Sequence, residues 1–229
     1  MSTPPAVCAD SRHCSAILTC AIFYLDMRFS NFEVRDLIKA WIAISLAVSI
    51  AILGTDSLAA LGLPLLVRGF VIYAATVGFA FLAHEILGHK FVAQKRGLSA
   101  EFRADDLFLL LAVLTSFTGF VFVAPGAVVI SGVTRIETYG KIAAAGPLVN
   151  IILALIFGFL ARAGFELIIP ISLGQGIDLI SQSYRINAWL ALFNLIPLGI
   201  LDGSKVFNWN RGMWFLLTGT SILLFLGII

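Results

Sequence analysis

"FLAHEILGHKFVAQKRG", Phe81 to Gly97, is the stretch on which the reading of this chain turns. The two-histidine zinc motif reads H-E-x-x-H, with the histidines four apart on one helical face and a glutamate beside the first. Here the central letters are H-E-I-L-G-H, so His84 and His89 stand five apart. On a regular α-helix a spacing of four turns two side chains apart by about 40° around the axis, and a spacing of five by about 140°. Three readings follow. A single π-bulge absorbs the extra residue and returns both histidines to one face; or a regular helix offers Glu85 and His89, four apart, leaving His84 outside the ligand set and the general base unassigned; or the site is broken. Gly88 favours the first, because glycine lets the backbone deviate at low steric cost and such bulges occur at functional sites.

Outward from the motif, the chain is apolar to an unusual degree. Of its 229 residues 60% are hydrophobic and 12% charged, about half the charged share of an ordinary soluble domain, and the mean hydropathy is +1.01. The apolar residues fall into runs long enough to span ~30 Å of hydrocarbon. The run carrying the motif starts near Val67 and ends at Lys95-Arg96-Gly97, a basic last turn followed by a glycine stop. The histidines therefore lie in the last third of an expected membrane helix. A first span is expected from about Ala40 to Gly54, preceded by amphipathic "FEVRDLIKAW", with Lys39 and Trp41 as interface anchors. Further spans are expected over Ile142–Leu160, from Ile186 through "NAWLALFNLIPLGILDG", and from Met213 to Ile229.

Between the second and third spans the pattern changes. Leu98 to Arg103 alternates as a strand does, and "FVFVAPGAVVISG" reads as two short strands around Pro125-Gly126. Thr115, Ser116, Thr118 and Gly119 interrupt the apolar run from Leu107, which is read as a re-entrant or interfacial hairpin. The expected fold class is an all-α polytopic membrane protein with about five transmembrane helices, that hairpin and a small membrane-associated β-sheet. Residues 1–38 are expected as a tail and amphipathic lead-in, residues 1–26 being a disordered tail or an over-extended start, and residues 39–229 as one transmembrane domain with its core at 67–210.

The cysteines, Cys8, Cys14 and Cys20, lie six apart in the first 20 residues, a spacing that gives no metal knuckle. A net charge of +2 gives no nucleic-acid surface. With the segment before the first span placed in the cytoplasm, that side collects Arg28, Arg35, Lys39, Lys90, Lys95, Arg96, Arg103, Arg135, Lys141, Lys205 and Arg211, leaving Arg68, Arg162 and Arg185 opposite. This positive-inside bias puts the histidines, and the end of the fourth span, near the cytoplasmic face of the cell membrane.

That fourth span carries "NLIPLGILDG", with Asp202 at its end. An ionisable residue at such a depth is expensive and by default has a partner or a task. A helix-capping aspartate is the plain alternative. Two histidines and an aspartate make a three-protein-ligand zinc site with one open position, and a neighbouring glutamate can act as general base on a water the metal acidifies. His84, His89 and Asp202 are the candidate ligands of one Zn²⁺ per chain and Glu85 the candidate base.

Taken together, "AHEILGHKFVAQKRG", "AGPLVN" and "FNLIPLGILDG", in that order over about residues 67–210, resemble the site-2 protease family of intramembrane zinc metalloproteases, in particular its compact archaeal type. The resemblance implies cleavage of a substrate protein's transmembrane helix near the cytosolic side of the lipid bilayer. It implies zinc at His84, His89 and Asp202, Glu85 as base, and substrate-binding roles for Asn150 and Asn194. It also implies that "GFVFVAPGAVV" belongs to a membrane-associated sheet whose edge pairs with an unwound substrate strand. Two other classes remain open: a catalytically silent relative that binds membrane helices, and a small proton-coupled transporter using the same buried polar residues. The substrate and the oligomeric state are not legible.

Overall fold

Ser30 opens the first helix by accepting a hydrogen bond from Glu33 N at 3.2 Å through its hydroxyl. The structure, a computed structural model, describes residues 27–229 except 123–124, 133–134 and 173–174. The expectations for residues 1–26 and their three cysteines lie outside the described residues. Helix α1 is Asn31–Leu53, so the amphipathic lead-in and the first span form one continuous helix. Gly54, at φ 77°, turns the chain into α2, Thr55–Leu82, which itself changes direction at Gly62 (φ 67°) ahead of Pro64. Trp41 packs against α2. Its indole lies on Gly78, where a Cβ would come within 1.7 Å of the ring nitrogen, and that nitrogen donates to Ala74 O at 2.9 Å.

A π-helical segment, Ala83–Lys90, continues α2 without a break, and α3, Phe91–Lys95, completes it. Strand β1 is Ser99–Ala104, α4 is Asp106–Ser116 and β2 is Gly126–Ser131. β2 pairs antiparallel with β1, Phe102 opposite Val128, rather than with residues 120–122, so the expected hairpin around Pro125-Gly126 is corrected to a pairing across α4. At ~1.5 Å per residue the 11 residues of α4 reach only about 16 Å, and the strands that flank it return the chain to its starting level. Helix α5, Ile136–Arg162, is followed by an unanticipated hairpin of β3, Ile168–Ser172, and β4, Gln175–Asp178. α6 is Leu179–Asn194, α7 is Asp202–Trp209 and α8 is Arg211–Phe225.

Three helical runs are long and apolar enough to cross a membrane: Asn31–Leu53, Thr55–Lys95 and Ile136–Arg162. The fourth expected span is not one helix. α6 stops at Asn194, an irregular loop covers residues 195–201, and Asp202 opens a new helix instead of ending the old one. The last expected span is the 15-residue α8. Leu37, Ile44, Tyr73, Val77, Phe81, Phe102 and Leu190 form the main apolar core, while Ala143, Ala144, Ala154, Ala188 and Ala191 let α5 and α6 pack closely in a second.

The small sheet is tied to α1 by polar groups that water does not reach. Glu33, fully buried, accepts from Lys90 Nζ at 2.5 Å through Oε2 and from Phe102 N at 3.0 Å through Oε1. Lys90, 1% exposed, also donates to Ala100 O at 3.2 Å, and Asp36 accepts from Ala104 N at 3.3 Å. Removing one partner of such a buried pair leaves an uncompensated charge. Lys90→Met is expected to destabilise the detergent-solubilised protein by about 3–5 kcal/mol, and Glu33→Leu combined with it to recover most of that loss in a thermal-unfolding series.

On the far side, Asp178 caps α6 through its carboxylate, accepting from Ile180 N and Ser181 N, and also accepts from Leu167 N at 2.8 Å. Desolvation pushes this carboxyl up, but the Ser181 side chain and the three backbone donors outweigh it and hold the group at about 2. A depressed folded-state value means the stabilisation is complete above the unfolded value, ~3.9, and is lost as pH falls toward about 2. Amide protection factors at Leu167 and Ser181, measured as exchange relative to the intrinsic rate at each pH, are expected to fall across that window and to stay level there in Asp178→Asn.

Candidate metal centre

Five residues separate the histidines, and the π-helical backbone over Ala83–Lys90 places both on one side. In a π turn the hydrogen bonds run i→i+5, which stacks residues five apart much as an α-helix stacks residues four apart. His84 Nε2 and His89 Nε2 come within 3.1 Å of each other. Asp202 Oδ2, arriving at the first turn of α7, lies 3.3 Å from the former and 2.9 Å from the latter. All three residues are buried.

Each ligand's other polar atom is fixed. His84 Nδ1 faces Asn150 Oδ1 at 2.5 Å, and His89 Nδ1 faces Ile142 O at 2.9 Å. The acceptor at each Nδ1 makes that nitrogen the protonated one and leaves the Nε2 lone pairs directed at a common point. Asn150 is itself oriented, its amide donating to Ala80 O at 3.2 Å and to Asn187 Oδ1 at 2.8 Å, and Asn187 donates to Ser183 O at 2.8 Å. The remaining Asp202 oxygen, Oδ1, takes a salt bridge from Lys205 Nζ at 3.0 Å.

These residues fit a tetrahedral cation such as zinc. Bonds of ~2.05 Å from a central ion imply ligand–ligand edges of about 3.3 Å, close to the observed triangle of 2.9, 3.1 and 3.3 Å. Two imidazole lone pairs and a carboxylate converging on one point repel each other unless a cation sits between them. The room for it is made by Gly146, where a Cβ would fall 2.5 Å from His89 Nε2 and 2.6 Å from His84 Nε2. Gly88 has a related role, since its Cβ would lie 2.5 Å from the Gly146 Cα: the π turn and α5 touch backbone to backbone. Gly203 completes the set, because a Cβ there would strike Leu195 O at 2.2 Å and prevent the 195–201 loop from closing beneath Asp202.

Glu85 is buried beside the triad, and its Oε2 has no hydrogen-bond partner. An unpartnered buried carboxylate oxygen costs free energy and marks a position kept ready for an incoming donor. It opens onto a cleft of about 480 Å³ that is also lined by His84, His89, Asp202, Lys205, Tyr139 and Asn194, with Gly126–Ile130 of β2 along one wall.

Of the residues singled out in the sequence, the structure thus brings together His84, His89, Asp202 and Glu85. Asn194 lies in the cleft wall, its amide donating to Leu190 O at 3.0 Å. Asn150 does not line the cleft: it is fully buried behind His84 and orients that ring. Asn187, Lys205 and the true reason for Gly146 escaped the sequence reading. The i, i+3 spacing of Asp202 and Lys205 is a usable signal in retrospect, whereas nothing in the sequence alone joins Asn187 to Asn150.

No family model matches the chain, and no solved structure matches it. The chain is 38% identical over 189 residues, 82% of its length and 89% of the other's, to a protein of Methanocaldococcus jannaschii that carries the name "putative zinc metalloprotease". Identity of that extent over most of both chains places this chain in the metalloprotease family of that relative.

Proposed function

We propose that this protein is an intramembrane zinc metalloendopeptidase, which hydrolyses a peptide bond in a transmembrane segment of a substrate protein near the cytoplasmic face. The observation that carries the reading is the buried His84–His89–Asp202 triangle with the unpartnered Glu85 carboxylate beside it, the two histidines and Glu85 standing on a helical run apolar and long enough to cross a bilayer. The cytoplasmic placement rests on the distribution of Lys and Arg along the sequence.

A zinc ion at the triangle would supply Lewis-acid polarisation of a carbonyl and lower the pKa of a water. The chain's own groups do the rest. Glu85 accepts the proton that the attacking water sheds as it adds to the scissile carbonyl, and returns it to the departing amine nitrogen. Asn150 and Ile142 O hold the two rings so that neither can swing away from the triangle. A helical substrate hides its amides in its own hydrogen bonds, so a stretch of it must be extended before cleavage. The open side of β2 along the cleft offers such a stretch a row of backbone partners. Lys205 and Tyr139, which lie together in the lining of the same cleft, bound the space left for it.

The purified protein is expected to hold one zinc per chain and His89→Ala to lose it, by elemental analysis; a zinc-free wild type overturns the reading. Cleavage of a test transmembrane substrate is expected to stop on chelation and return with zinc. Glu85→Gln is expected to keep the metal and lose about 10²- to 10⁴-fold in rate, the usual share of a positioned general base. Retained zinc with no cleavage by the wild type would identify a silent helix-binding protein instead. Gly146→Ala is expected to fold and to lose zinc, since its methyl would occupy the space between the two imidazoles; unchanged zinc content would contradict that geometry.

A further inference from the structure

The two-stranded sheet has two outer edges, and they are treated differently. On β1, Phe102 N and Ala104 N point to Glu33 and Asp36 of α1, and Ala100 O accepts from Lys90 and, at 3.4 Å, from Gln94. The even-numbered residues of β1 therefore turn their backbone groups away from β2, and the odd-numbered ones make the ladder. With Glu101 opposite Val129, the ladder on β2 runs through residues 127, 129 and 131. Gly126, Val128 and Ile130 then direct their backbone groups to the opposite edge of β2. No strand covers that edge among the described residues, and these same three residues line the cleft with the triad.

An open sheet edge is a template for any extended chain. Here two carboxylates and an ammonium take the hydrogen-bonding places that a third strand would occupy on β1, leaving one edge for docking. The same groups tie the sheet to the metal site, because Lys90 follows His89 directly and Glu33 holds both Lys90 and Phe102 N. We infer that Glu33, Asp36 and Lys90 are positioning residues that make β2 the sheet's docking edge and set the register of an extended substrate against the triad, so that they fix which bond is cut. This rests on the proteolytic reading above. A slip of one residue would send every substrate side chain to the wrong face, so loosened register is expected to move in steps of two.

The test is product-end mapping by mass spectrometry, with a transmembrane substrate and the full-length zinc-loaded enzyme. Asp36→Asn and Glu33→Gln are expected to retain zinc, to raise KM about tenfold, the worth of about one hydrogen bond, and to add secondary cuts two residues from the main one, with kcat changed less than KM. Unaltered product ends and KM in zinc-loaded variants would overturn the inference while leaving the protease reading intact. A wild type that cuts no substrate would overturn both. Where a variant fails to fold, the wild type answers the question alone: N-methylation at successive substrate residues should block cleavage at alternate positions, and a block without that alternation contradicts docking on β2.

Discussion

Everything at the centre depends on one departure from α-helical geometry. A regular helix would rotate His89 away from His84, and the π turn from Ala83 to Lys90 brings them to 3.1 Å. Such a turn is poorer in hydrogen-bond geometry than the helix it interrupts, so surrounding contacts must favour it. Gly88 against Gly146 allows α5 to approach where any side chain would intervene, and Ile142 O and Asn150, both on α5, then bond the two rings. On the other side, Lys90 is drawn into its pair with Glu33. The wide turn is held at both ends by groups that only its geometry reaches.

From that turn the rest of the molecule can be read as support. α5 supplies the ring acceptors, α6 supplies Asn187 behind Asn150, and the loop after α6 delivers Asp202 at the start of α7 with Gly203 beneath it. α1 holds the sheet whose open edge forms one wall of the cleft. Burial of so many polar groups is tolerated because most of them have partners; of the three buried side-chain oxygens without one among the described residues, those of Glu85, Thr218 and Ser221, the Glu85 Oε2 alone is a carboxylate and stands where chemistry needs a free acceptor.

The sequence made the site legible through chemistry: adjacent His and Glu, a second histidine and a distant buried aspartate are rare in so apolar a chain. The need for a bulge was also legible, because a five-residue spacing has a definite angle. What stayed hidden is non-local. The pairing of β1 with β2 skips an entire helix, the β3–β4 hairpin has strands of five and four residues with Pro170 inside the first, and the break at 195–201 interrupts a run whose hydropathy alone looks continuous. The resemblance carries a substrate role to Asn150, and its spacing from Gly146 gives no direction for the side chain, which packing turns toward His84. For Trp41, composition gives polarity, and only packing gives the partner, Ala74 O.

The central claim is that His84, His89 and Asp202 hold one zinc ion across the π turn. X-ray absorption at the zinc edge on the purified, zinc-loaded protein tests it most directly. The account predicts two imidazole nitrogens at ~2.0–2.1 Å and oxygen at ~2.0–2.2 Å around the wild-type zinc. A wild-type spectrum with a single imidazole, or with none, would contradict it.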